Sequence, residues 1–105
     1  METYLGFCIR SRKIVFGVDE IIKQKKGVFL LLADEALGES SLKDIKKAME
    51  KLACPLLLVE KDTLGELLHR IAVKAVAIKD KNLADALLKE AENEPQFKLY
   101  SGGNN

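Results

Sequence analysis

At 105 residues the chain is the size of one ordinary domain, large enough to bury a core without disulfides or a structural metal. Hydrophobic residues at 48% and charged residues at 31% exclude a disordered acidic tail and a collagen-like repeat, and describe a soluble globular protein. Seventeen Lys and Arg against sixteen Asp and Glu leave a net charge of +1, so any nucleic-acid site must arise from local asymmetry rather than from the field of the whole molecule.

Taken in chain order, the pattern predicts a helix near Tyr4 to Arg10, a short strand over Lys13 to Phe16 and a helix from about Val18 to Lys25. Val28 to Ala33 follows Gly27 with no polar alternation, which describes a strand buried on both faces. Ser41-Leu-Lys-Asp44 fits a capping box, and Leu42, Ile45, Met49 and Leu52 then recur along one helical face. Cys54-Pro55 ends that helix, since the residue before a proline avoids the helical region.

Pro55 to Val59 reads as a second buried strand, and Thr63-Leu-Gly-Glu66 offers a further capping box before Leu67 and Leu68. Val73 to Ile78 is another apolar strand, and Leu83, Ala84, Leu87, Leu88 and Ala91 mark a helix after Asn82. From Asn93 the period is lost. Residues 1–92 are therefore expected to form one α/β domain and residues 93–105 a C-terminal tail, mobile at its tip. Strands separated by amphipathic segments predict a three-layer α/β/α sandwich around a four-stranded mixed sheet, with Val28 to Ala33 and Val73 to Ile78 at its centre.

Cys8 and Cys54 belong to no CxxC pair or His cluster, so they are expected as free thiols in a reducing cytoplasm, without a zinc site. The start of the chain has no signal-peptide pattern, and the longest apolar runs fall far below the ~20 residues needed to cross a bilayer.

No GxSxG, HExxH, Walker A or GxGxxG sequence is present, and His69, the single histidine, lies in no catalytic motif and reads as a surface helix residue. Acids are the better enzyme candidate: Asp34-Glu35 and Asp80 follow buried strands, where gathered carboxylates hold a magnesium ion in a hydrolase. Strand-end acids also cap helices in most α/β domains, and that plainer role leaves no metal and no cofactor.

A third pattern is basic. Through Gly27 the chain carries Arg10, Arg12, Lys13, Lys23, Lys25 and Lys26 against Glu2, Asp19 and Glu20. These residues flank Gly17, where a strand gives way to a helix, and a helix start presents free N–H groups to phosphate. Basic side chains nearby would position an RNA backbone without reading its sequence.

The order of the motifs carries a resemblance. Gly17-Val-Asp-Glu-Ile-Ile-Lys23 resembles the Gly-x-Asn-Glu-x-x-Lys segment of the kink-turn RNA-binding family, the ribosomal proteins of the L-seven-Ae and L-thirty-e superfamily and their small bacterial relatives. Val28 to Asp34, Val59-Glu-Lys-Asp-Thr-Leu-Gly65 and Val73 to Ala86 are similar to its later strands, turn and closing helix, in the same order. The likeness runs from about Leu5 to Leu88.

The resemblance implies a non-enzymatic RNA-binding component of the ribosome or another ribonucleoprotein, with protein partners in that particle. It puts Asp19 and Glu20 against sheared G·A pairs, Lys23 on phosphate and Gly17 where the RNA comes close, and Arg12 and Lys13 of the basic group are expected to support the same surface. A carboxylate can accept from guanine N1–H and N2–H2, which gives Glu20 a chemical reason to be there. Four departures stand out. Asp19 replaces an amide that both donates and accepts, Arg12 stands where many small relatives have Gly, and His69 and Asn82 replace glycines common in the family. The near-neutral charge and Asp19 also suit a protein-interaction module that kept the fold and lost RNA affinity.

Overall fold

A computed structural model describes residues 1–100. In chain order its elements are α1 (Glu2–Arg10), β1 (Ile14–Phe16), α2 (Val18–Ile22), β2 (Leu30–Asp34), α3 (Glu39–Leu52), β3 (Leu56–Val59), α4 (Thr63–Leu68), β4 (Ala75–Ile78), α5 (Lys81–Ala91) and β5 (Phe97–Tyr100).

The strands form one mixed sheet in the order β1-β4-β2-β3-β5. Only β2 and β3 are parallel, joined by the α3 crossover, and the other neighbours are antiparallel. The two unbroken apolar runs lie at its centre: every residue of β2 and β4 is buried, as the absence of alternation requires. Successive side chains point to opposite faces, so the sheet divides the interior in two. Leu30 and Leu32 join α1, α4 and α5 in one core, while Leu31 and Ala33 join α2 and α3 in the other.

The sheet has five strands where four were expected, and the fifth lies inside the segment read as a tail. Phe97 enters the first core and pairs with Val59, and Tyr100 packs on the second, its ring 4.8 Å from the Lys46 ammonium. Of the four residues of β5 only Phe97 is fully buried, so the strand leaves too short an apolar signature to detect. The ordered domain therefore extends past residue 92, and the tip, 101–105, lies outside the described residues.

Neither expected capping box forms. Helix α3 begins three residues early, with Gly38 as its N-cap, so that Ser41 lies inside the helix, and Asp62 precedes α4 in a left-handed conformation with no side-chain cap bond. Asp80 caps α5 instead, accepting from the Leu83 N–H at 2.9 Å. Helix α2 stops at Ile22 rather than near Lys25. Cys8 and Cys54 are free and buried in separate cores on opposite faces of the sheet, so each packs as a small apolar group. No helix among the described residues is long and apolar enough to cross a membrane.

Candidate nucleic-acid interface

Gly17 makes the junction between β1 and α2. It donates its N–H to the Ala75 carbonyl at 2.9 Å, continuing the β1–β4 ladder, and its own carbonyl accepts from Ile21 N–H at 3.0 Å, opening the helix. Its φ of +91° with ψ 148° is a backbone state that side chains rarely adopt, although a Cβ there would meet nothing within 4 Å. Backbone conformation, not crowding, requires the glycine, and the surface above it is open.

Asp19, Glu20 and Lys23 project from α2 and are all exposed. Lys23 Nζ lies 3.2 Å from Glu20 Oε2, a surface pair one turn apart that holds the carboxylate out from the helix. With five residues, α2 has too little aligned backbone for a substantial dipole, so any recognition here rests on side chains.

Arg12 and Lys13 do not support this surface. Ile14 pairs with Ile78 and Phe16 with Val76, and the Lys13 carbonyl accepts from Lys79 N–H at 2.8 Å. Lys13 is thus at the far end of β1, roughly 13 Å from Gly17 at an extended rise. The single surface expected from sequence is split between the two ends of the sheet.

What adjoins Gly17 instead is the segment entering β4. The Arg70 guanidinium covers the Phe16 ring at 4.5 Å, and Ile71 stands 81% exposed. Arg70 N–H bonds the Gly65 carbonyl at 2.9 Å and Val73 N–H bonds Arg70 at 3.0 Å. Gly65 is buried against this segment: a Cβ there would lie 3.0 Å from the Ile71 carbonyl oxygen. An apolar side chain is therefore held in solvent on the segment whose Arg70 covers Phe16, the residue before Gly17. In sequence Ile71 lies just before the apolar run read as Val73 to Ile78, and nothing local announced its exposure.

Asp34 is buried at this same rim. Its Oδ1 accepts from Ala36 N–H at 2.7 Å and its Oδ2 from Asp62 N–H at 3.0 Å, with Lys74 Nζ at 3.6 Å. Lys74 also donates to Asp62 Oδ1 at 3.2 Å. That bond chiefly, and the charge of Asp34 after it, raise the Lys74 pKa above its ordinary 10.5.

The carboxylates weighed as a magnesium site do not meet. Strand β4 runs antiparallel to β2, so Asp80 and Asp34 lie at opposite ends of the sheet, Glu35 points to solvent, and both Asp34 oxygens are engaged. Among the described residues no three His, Cys, Asp or Glu gather as metal ligands. His69 is exposed in a left-handed conformation, φ 56°, and pairs with Glu2.

No protein-family model matches the chain, and no curated protein is similar to it. Among solved structures it is similar to a protein with unknown function from Bacillus halodurans, with a TM-score of 0.72 at 18% identity over 84% of this chain and 92% of that one. The likeness extends over nearly the whole of both chains and establishes a shared α/β fold.

Proposed function

We propose that the chain is a non-enzymatic RNA-binding protein of the cytoplasm, a ribosome or ribonucleoprotein component that recognises kinked RNA at the β1–α2 rim. The observation that carries this reading is the exposed group of Asp19, Glu20 and Lys23 on one helical turn, beside open backbone at Gly17. Glu20 supplies acceptors for a guanine edge, Lys23 offsets the carboxylate charge near phosphates, and exposed Ile71 offers an apolar surface to an unstacked base.

Two backbone facts add support. Arg12 and His69, residues at positions where the resembled family carries glycine, have φ of 59° and 56°. Glycine reaches that conformation at no steric cost.

Titrations against a kinked G·A RNA and a plain duplex test the reading. Glu20→Ala is expected to cost about 1–3 kcal/mol on the kinked RNA alone. Asp19→Asn, which restores a donor and removes an anion, is expected to tighten binding. If wild type has no preference for the kinked RNA and Glu20→Ala changes nothing, the site is not used for RNA and a protein-interaction role takes its place.

A further inference from the structure

The end of the sheet opposite Gly17 collects cations that form no ion pair among the described residues. Arg12 and Lys13 lead into β1, Lys25 and Lys26 follow α2, and Lys79 leaves β4, so the charges come from three separate stretches of chain. Contacts hold these stretches together. Lys79 N–H bonds the Lys13 carbonyl at 2.8 Å, Lys79 Nζ donates to Gln24 Oε1 at 2.9 Å, and Lys79 Cε lies 3.9 Å from a Cβ position on Gly27.

None of the five cations has a carboxylate partner among the described residues, and all but half-buried Lys79 are exposed. The nearby acid, Asp80, turns one carboxylate oxygen to the start of α5, and its charge can offset one of the five at most. Basic residues in the last turn of a helix are accounted for by its dipole, as with Arg10 and Lys51, but these five lie in loops and at strand ends. At the other rim Asp19, Glu20, Asp34, Glu35, Glu60 and Asp62 outnumber Lys23, Lys61, Arg70 and Lys74, so a net charge of +1 conceals two ends of opposite sign.

We propose that this basic rim is a second RNA contact, one that grips the phosphate backbone of a duplex segment without reading its bases. The inference rests on the RNA-binding reading above and adds to it a separate surface. Phosphate contacts position a protein, while base edges supply selection. The two tasks would then fall to the two ends of one sheet, with the acidic recognition turn kept away from the phosphate clamp.

Salt dependence of binding to a plain RNA duplex tests this directly. Each phosphate contact contributes about 0.9 to the slope of log affinity against log salt, so five give a slope of about −4 to −5. The paired substitution Lys25→Gln with Lys26→Gln is expected to lower the slope by about 2, and Arg12→Gln with Lys79→Gln by a similar amount. Lys43→Gln with Lys98→Gln, both exposed residues outside the rim, should leave it unchanged.

Unchanged slopes in both rim variants, with the kinked-RNA preference of wild type intact, overturn the second contact and leave the first. Reduced slopes in a protein with no such preference keep the rim and discard the recognition turn. Wild type that binds neither RNA, or rim variants that lose only binding to phosphatidylserine vesicles, overturn the rim as an RNA surface.

Discussion

Replacing Asp34 by alanine tests how the rim around Gly17 is held together. The carboxylate is fully buried and accepts two backbone hydrogen bonds, from Ala36 at 2.7 Å and Asp62 at 3.0 Å. Bonds to a charged acceptor are worth about 1.5–3 kcal/mol each. The Lys74 head group is partly in solvent, so its ion pair adds little. Together the two bonds are worth about 3–6 kcal/mol, and the desolvation that the removed carboxylate no longer costs offsets part of this. Asp34→Ala is therefore expected to lose about 3–4 kcal/mol, a large share of the roughly 5–15 kcal/mol that stabilises a domain. Asp34→Asn, which keeps one acceptor oxygen, should lose about half as much.

Urea unfolding followed by circular dichroism measures both changes. At a slope of about 1–3 kcal/mol per molar, the alanine midpoint should fall by roughly 1–4 M. A loss below about 1 kcal/mol would refute the assignment of Asp34 as the tie between the β2–α3 and β3–α4 connections. Magnesium that stabilised wild type but not Asp34→Ala would instead return this carboxylate to metal chemistry.

Two further outcomes follow from backbone conformation and ionisation. Ala53 ends α3 with φ 53° and ψ 46°, so Ala53→Gly should stabilise the protein by about 0.5–1 kcal/mol in the same urea assay, and a loss of stability would contradict it. Alkaline pH should destabilise the fold. Burial raises the Cys8 and Cys54 thiols from 9.0 to about 11, so between those values the unfolded chain releases protons that the folded chain keeps. Lys74 acts in the same sense from its ordinary 10.5 upward, because its raised pKa contributes stability below that value and loses it as pH climbs through the folded one. Urea midpoints should hold steady up to about pH 9 and then decline, with a shallower decline in Cys54→Ala and Lys74→Met; an undiminished decline in both would count against this origin.

What was legible in the sequence follows the range of the interactions involved. Strands β2 and β4 could be found because every residue is buried, and the resulting apolar runs need no partner to be seen. The group of Asp19, Glu20 and Lys23 was equally accessible, since helical spacing alone puts those side chains on one side. Arg12 and Lys13 were misplaced for the converse reason. Five residues of helix advance about 7.5 Å, whereas five of strand advance roughly 16 Å, and the link to Gly17 is β1. Asp34 was recognisable as a strand-end acid but not as a buried one, because it is held by Asp62 and Lys74, distant in sequence. The start of α3 at Glu39 escaped because Gly38 supplies no side-chain cap to recognise.

The fifth strand also bears on how the molecule avoids associating with itself. Without β5, Leu56-Leu-Leu-Val59 would be an edge strand of four consecutive apolar residues with unpaired backbone groups, the kind of template on which sheets of separate molecules join. In β5 the residue paired with Leu58 is Lys98, and a lysine on an outer strand is a common natural barrier to such joining. A chain cut just before Phe97 would keep most of both cores yet expose that apolar edge. Its expected failure is aggregation from a folded state, not unfolding, because these four residues cover the edge on which such joining would start.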